Sequence, residues 1–111
     1  MMKPPDKLSG EIDHLWHKYL PVMRSRIETI QLAVDAIRGN RLTPDLRADA
    51  KQSAHNLAGS LGTFGLEHAS SDALEIEWRL AEPMGADGIV ALDEQLARVK
   101  QAIETREGTK P

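Results

Sequence analysis

Residues 43–66 read Thr43-Pro44-Asp45-Leu46-Arg47-Ala48-Asp49-Ala50-Lys51-Gln52-Ser53-Ala54-His55-Asn56-Leu57-Ala58-Gly59-Ser60-Leu61-Gly62-Thr63-Phe64-Gly65-Leu66. Thr43-Pro44 has the form of a helix start, an N-cap hydroxyl followed by a proline whose missing N–H is not needed in the first turn. Behind it Leu46, Ala50, Ala54, Leu57 and Leu61 recur three or four residues apart, the stripe by which an amphipathic helix buries one face. Gly62 and Gly65 surround Phe64 and predict a turn. His55 lies beside the stripe rather than in it, and Gly59 follows one turn later on the same face. A glycine inside a helix costs about 1 kcal/mol relative to alanine, so its place beside a histidine points to a need for access.

The same periodicity extends in both directions. Leu8, Ile12, Leu15, Trp16 and Tyr19 predict a short first helix, which Pro21 is expected to end or kink because proline lacks the N–H and clashes with the preceding turn. Met23, Ile27, Ile30, Val34 and Ile37 predict a second helix that stops at Gly39-Asn40. Downstream, Leu66, Ala69, Ala73, Ile76 and Leu80 form another stripe, Pro83 to Gly88 breaks it, and Ile89, Leu92, Leu96, Val99 and Ile103 form the last. No stretch alternates apolar and polar residues in the manner of a strand. Short connections make neighbouring helices antiparallel. The expected fold is all-α: an antiparallel up-and-down four-helix bundle with a short N-terminal helix. A single domain is expected over 8–105, with flexible termini at 1–7 and 106–111.

A chain of 111 residues suits one core of this kind. Its net charge of -3, without a basic cluster, argues against nucleic acid as partner. The absence of cysteine removes disulfides, thiolate metal sites and cysteine nucleophiles. Neither a signal-peptide pattern nor a run of 18 apolar residues occurs, so no membrane contact and a cytoplasmic location are expected. His14 and His17 lie three apart, and Asp13 and His68 are conceivable companions in a metal site, but no metal-ligand signature completes the set. Neither a metal nor a cofactor of the chain's own is expected. Trp16, Trp78 and Phe64 read as core or boundary residues, and Glu75, Glu77, Asp93 and Glu94 as solvated helix faces.

On a helix His55 shares its surface with Lys51, Gln52, Ala58, Gly59 and Gly62, most of them small or polar. The imidazole is expected to lean over Lys51 and Gln52, with Ala58 and Gly59 leaving its other side low. Nothing in the spacing points to a hydrolytic triad. The histidine itself is the candidate nucleophile, since a neutral imidazole keeps a free nitrogen lone pair able to attack phosphorus without a neighbouring base. If the donor is an aspartyl phosphate on a partner, that partner also brings Mg²⁺, and this chain need only position its ring. Gly59 then gives clearance, Ser60 is a hydrogen-bond donor to the phosphoryl group, and Lys51 or Gln52 can bind its oxygens.

His55-Asn56-Leu57-Ala58-Gly59-Ser60 with Gly62, Gly65-Leu66 and Ile76-Glu77 resembles the signature of histidine-containing phosphotransfer (HPt) domains of multistep two-component phosphorelays. The resemblance implies that His55 accepts a phosphoryl group from a receiver-domain aspartate and passes it to another receiver, with a hybrid histidine kinase upstream. It implies response-regulator receiver domains as partners, Mg²⁺ on the receiver, and a monomeric covalent carrier rather than an enzyme; the chain has no P-loop and, at this length, no room for an ATP-binding domain. One departure stands out. Many members have lysine three residues after the histidine, where this chain has Ala58, so Lys51 becomes the phosphate-binding candidate by geometry alone. The other function class is a helical adaptor that binds a receiver or other signalling partner through the same face without accepting phosphate.

Overall fold

Thr43 holds an extended backbone, and its Oγ1 accepts a 3.1 Å hydrogen bond from the Leu46 N–H, so the helix start read from Thr43-Pro44 is present. In the computed structural model, which describes residues 6–108, the elements in order are α1 (Asp6–Arg38), α2 (Pro44–Thr63), α3 (Glu67–Ala81) and α4 (Ala86–Gly108). Among the described residues there is no strand. Asn40 after α1 and Gly65 after α2 both take positive φ, 55° and 78°, and so reverse the chain where the sequence placed its stops.

Antiparallel neighbours are marked by cross-helix pairs whose numbers run in opposite directions. Arg24 pairs with Glu104 at 3.3 Å, Gln31 with Lys100 at 2.7 Å, and Arg38 with Asp93 across α1 and α4. Arg47 donates to the Leu80 carbonyl and Ser70 to the Ala58 carbonyl across α2 and α3. The four helices pack in a ring, α1 on α2, α2 on α3, α3 on α4 and α4 on α1. Each contributes its stripe to one core, with Ile30, Val34, Leu57, Leu61, Ile76, Leu80, Leu92, Leu96, Val99 and Ile103 buried. Each such side chain contributes about 1.5–3 kcal/mol of transfer free energy, which is what holds four individually marginal helices in place.

Pro21 does not end a helix. Instead α1 is a continuous 33-residue helix with Pro21 inside it, and the separate short N-terminal helix is its first half. The buried residues Trp16, Leu20, Met23, Ile27, Ile30 and Val34 continue one stripe straight through the proline. Breaking the helix would expose Trp16 and Leu20, a loss that offsets the roughly 3 kcal/mol cost of an interior proline. Pro21 and His17 are both exposed, so water can bond the His17 carbonyl that proline leaves unpaired.

The C-terminal end also departs from expectation. Residues 106–108 belong to α4 and are not a loose tail. Arg106 lies over the Trp16 ring, 4.4 Å from its centroid, and pairs with Asp13 at 3.3 Å, while the Trp16 indole N–H donates to Glu107. Helix α1 likewise already includes Asp6 and Lys7, within the expected flexible start. The expected flexible ends at 1–5 and 109–111 lie outside the described residues. Trp16 is core as expected; Trp78 is not, being 65% exposed on α3.

Candidate functional site

His55 stands in the fourth turn of α2 with its side chain 60% exposed. A Cβ added at Gly59 would meet nothing within 4 Å, so this glycine is not there to let another helix approach. It leaves open space one turn from the imidazole. Gly62 differs, since a Cβ there would come to 3.5 Å from Ser70 Oγ, an ordinary contact.

The imidazole is oriented from the neighbouring helix. Nδ1 of His55 lies 3.1 Å from Oε1 of Glu77, a side chain only 26% exposed on α3. A carboxylate can only accept, so Nδ1 carries the ring proton, and in the neutral imidazole the lone pair is then on Nε2. The sequence reading of Glu77 as a solvated face is therefore corrected: antiparallel packing of α2 on α3 brings together two residues 22 apart in sequence. Glu75 is also engaged, accepting a 2.6 Å hydrogen bond from the buried Gln95, and Asp93 pairs with Arg38.

On its other flank His55 borders a cleft of about 570 Å³ between α1 and α2. Asn56, Gly59 and Ser60 line it from α2, Tyr19 and Arg26 from α1. Arg26 Nη1 donates to Ser60 Oγ across 3.3 Å. Phe64 lies edge-on to Trp16, with ring centroids 5.2 Å apart and planes at 89°, which fixes the apolar end of the cleft against the core.

A family model described as Hpt domain matches residues 14–105 of the chain. The chain belongs to the Hpt domain family. Its members are phosphoryl carriers of phosphorelays, not kinases, and helical bundles of the kind described above. The chain is also similar to Protein RcaC of Microchaete diplosiphon, with 30% identity over 69 residues, 62% of this chain and 11% of that protein. It therefore spans about a ninth of that relative's length. No solved structure matches it.

Within this Hpt domain the residues named from the sequence are dispersed around the helix. At about 100° per residue, Gly59 and Asn56 lie to one side of His55, facing α1, and Ala58 and Lys51 to the other, facing α3. Ala58 is 3% exposed and belongs to the core. It does not lie low on the histidine face, and its methyl is not available as a phosphate or partner contact. Lys51 is half-buried, forms no hydrogen bond or ion pair among the described residues, and does not line the cleft. Gln52 also stands outside the cleft; its Nε2 donates to Asn56 Oδ1 at 3.0 Å and so orients an amide that does line it. Ser60 takes its hydrogen bond from Arg26.

Sequence reasoning missed the roles of Arg26, Asn56 and Glu77. Only Glu77 carried a signal, as part of the Ile76-Glu77 resemblance. Among the described residues no group of three or more histidines and carboxylates is placed to hold a metal ion, and no helix is long and apolar enough to cross a membrane.

Proposed function

We propose that His55 is the phosphoryl acceptor of this Hpt domain, taking the group from an aspartyl phosphate on a response-regulator receiver and passing it to a second receiver in a multistep phosphorelay begun by a hybrid histidine kinase. The observation that carries this reading is the His55–Glu77 pair: an exposed imidazole whose Nδ1 proton is held by a half-buried carboxylate, with Gly59 open beside it. A surface histidine without such work has no need of either neighbour.

The Nε2 lone pair attacks phosphorus, an Nε2–P bond forms, the bond between phosphorus and the aspartyl oxygen breaks, and the carboxylate leaves. The proton stays on Nδ1, so the product ring is an imidazolium. Glu77 stands 3.1 Å from that proton and stabilises the positive charge as it develops. Because no proton is exchanged with solvent, the reverse step to a second receiver follows the same path. Mg²⁺ on the receiver would shield the transferring group, so the carrier needs no metal of its own.

Incubation with a phosphorylated receiver domain and Mg²⁺ tests the proposal. Wild type acquires acid-labile, alkali-stable label, and His55→Gln acquires none. Receiver binding by wild type without label would favour the adaptor reading.

A further inference from the structure

Transfer delivers a doubly charged phosphoryl group to a ring whose family-typical lysine neighbour is here Ala58, buried in the core. The cation that meets that group must come from elsewhere. Lys51, the candidate by sequence spacing, lies on the α3 flank of α2 and outside the cleft. Arg26 lines the same cleft as His55, Asn56 and Gly59, and reaches it from a different helix.

Arg26 is set apart by its place together with its partner: Arg41, Arg47 and Arg79 also lack a carboxylate partner among the described residues, but none of them lines the cleft beside His55. Arg24, Arg38, Arg98 and Arg106 are each paired with a carboxylate. Arg26 has no carboxylate within ion-pair distance among the described residues, and its one hydrogen bond is to the neutral Ser60 hydroxyl at 3.3 Å. A half-buried guanidinium held by a neutral group keeps its full charge available and most of its N–H donors free. Its planar fork suits phosphoryl oxygens better than an ammonium does. Ser60, read from the sequence as a direct phosphate donor, acts here as the rest that holds the guanidinium beside the cleft.

We infer that Arg26, positioned by Ser60, is the residue that binds the phosphoryl group on His55 and takes the place of the absent lysine. The inference rests on His55 being the acceptor. It is tested apart from any partner with phosphoramidate, from which Nε2 displaces ammonia as the P–N bond breaks and the Nε2–P bond forms. Rates of label on His55 are compared among wild type, Arg26→Gln, Arg26→Lys, Ser60→Ala and Lys51→Gln, with helicity followed by circular dichroism.

Arg26→Gln is expected to slow labelling about tenfold, the scale of losing one charged donor at a partly solvated anion, and Arg26→Lys to restore part of it. Lys51→Gln is expected to stay within about twofold of wild type. If Arg26→Gln fails to fold, Ser60→Ala still tests the inference through a loss of about two- to threefold. Unchanged rates in the Arg26 or Ser60 variants, or a larger loss in Lys51→Gln, overturn it. Should wild type take label from phosphoramidate but not from a phosphorylated receiver, the relay reading fails while the comparison of variants still decides the role of Arg26. No label on His55 from either donor overturns both.

Discussion

Gly59 separates a structural explanation of the site from a functional one, because the two predict opposite signs for the same substitution. Its position is an interior, exposed turn of α2, and a Cβ built there meets nothing within 4 Å. No overpacking cost is then due, and only helix propensity remains, about 1 kcal/mol in favour of alanine. The Thr63 hydroxyl bonds the Gly59 carbonyl at 3.0 Å, a contact that alanine leaves in place. Gly59→Ala should therefore raise the thermal midpoint by about 4 °C for a domain of this size. Gly59→Gln should fold equally well but fill the space beside the imidazole, and lower phosphoryl transfer from a receiver at least about tenfold, or about 1.4 kcal/mol of barrier. Calorimetry and single-turnover transfer on the same preparations give both numbers. A fall in midpoint for Gly59→Ala, or transfer at the wild-type rate by Gly59→Gln, would refute the clearance argument.

Further outcomes follow from the same geometry. Pro21→Ala restores an N–H and removes a ring clash inside a continuous helix, so urea unfolding should show a gain of up to about 3 kcal/mol; a loss would mean that the proline shapes α1 in a way its packing does not reveal. Thr43→Ala removes the cap on the Leu46 N–H and should cost about 1 kcal/mol in the same assay, with Thr43→Ser close to neutral. Glu77→Gln keeps a hydrogen-bond acceptor for Nδ1 but no charge to face the imidazolium, and should slow transfer about tenfold without lowering the thermal midpoint; an unchanged rate would reduce Glu77 to a packing residue.

The helices were legible because their signals are local. Thr43 caps, Asn40 and Gly65 turn, and the stripes from Leu57 to Leu61 and Ile76 to Leu80 bury as their spacing predicts. Pro21 departs from its local signal because the burial of Trp16 and Leu20, which only the assembled bundle supplies, offsets the proline penalty. His55 and Gly59 were visible for the same local reason, lying four apart on one helix. Their working partners were not: Glu77 and Arg26 come from α3 and α1, and no spacing along the chain records that antiparallel packing sets them on opposite flanks of one imidazole. Ala58 shares the broad face of His55 in the sequence, yet about 60° of rotation away from the histidine is enough to turn its methyl into the core.

Phosphotransfer through this domain converges on one nitrogen atom of one side chain. With ¹⁵N-labelled histidine in the protein and a phosphorylated receiver as donor, ³¹P–¹⁵N coupling reports which ring nitrogen holds the phosphoryl group. A single phosphorylated site, at Nε2 of His55 with the proton on Nδ1, is the predicted result. Phosphate on Nδ1, the atom held by Glu77, or on any other histidine, would contradict it.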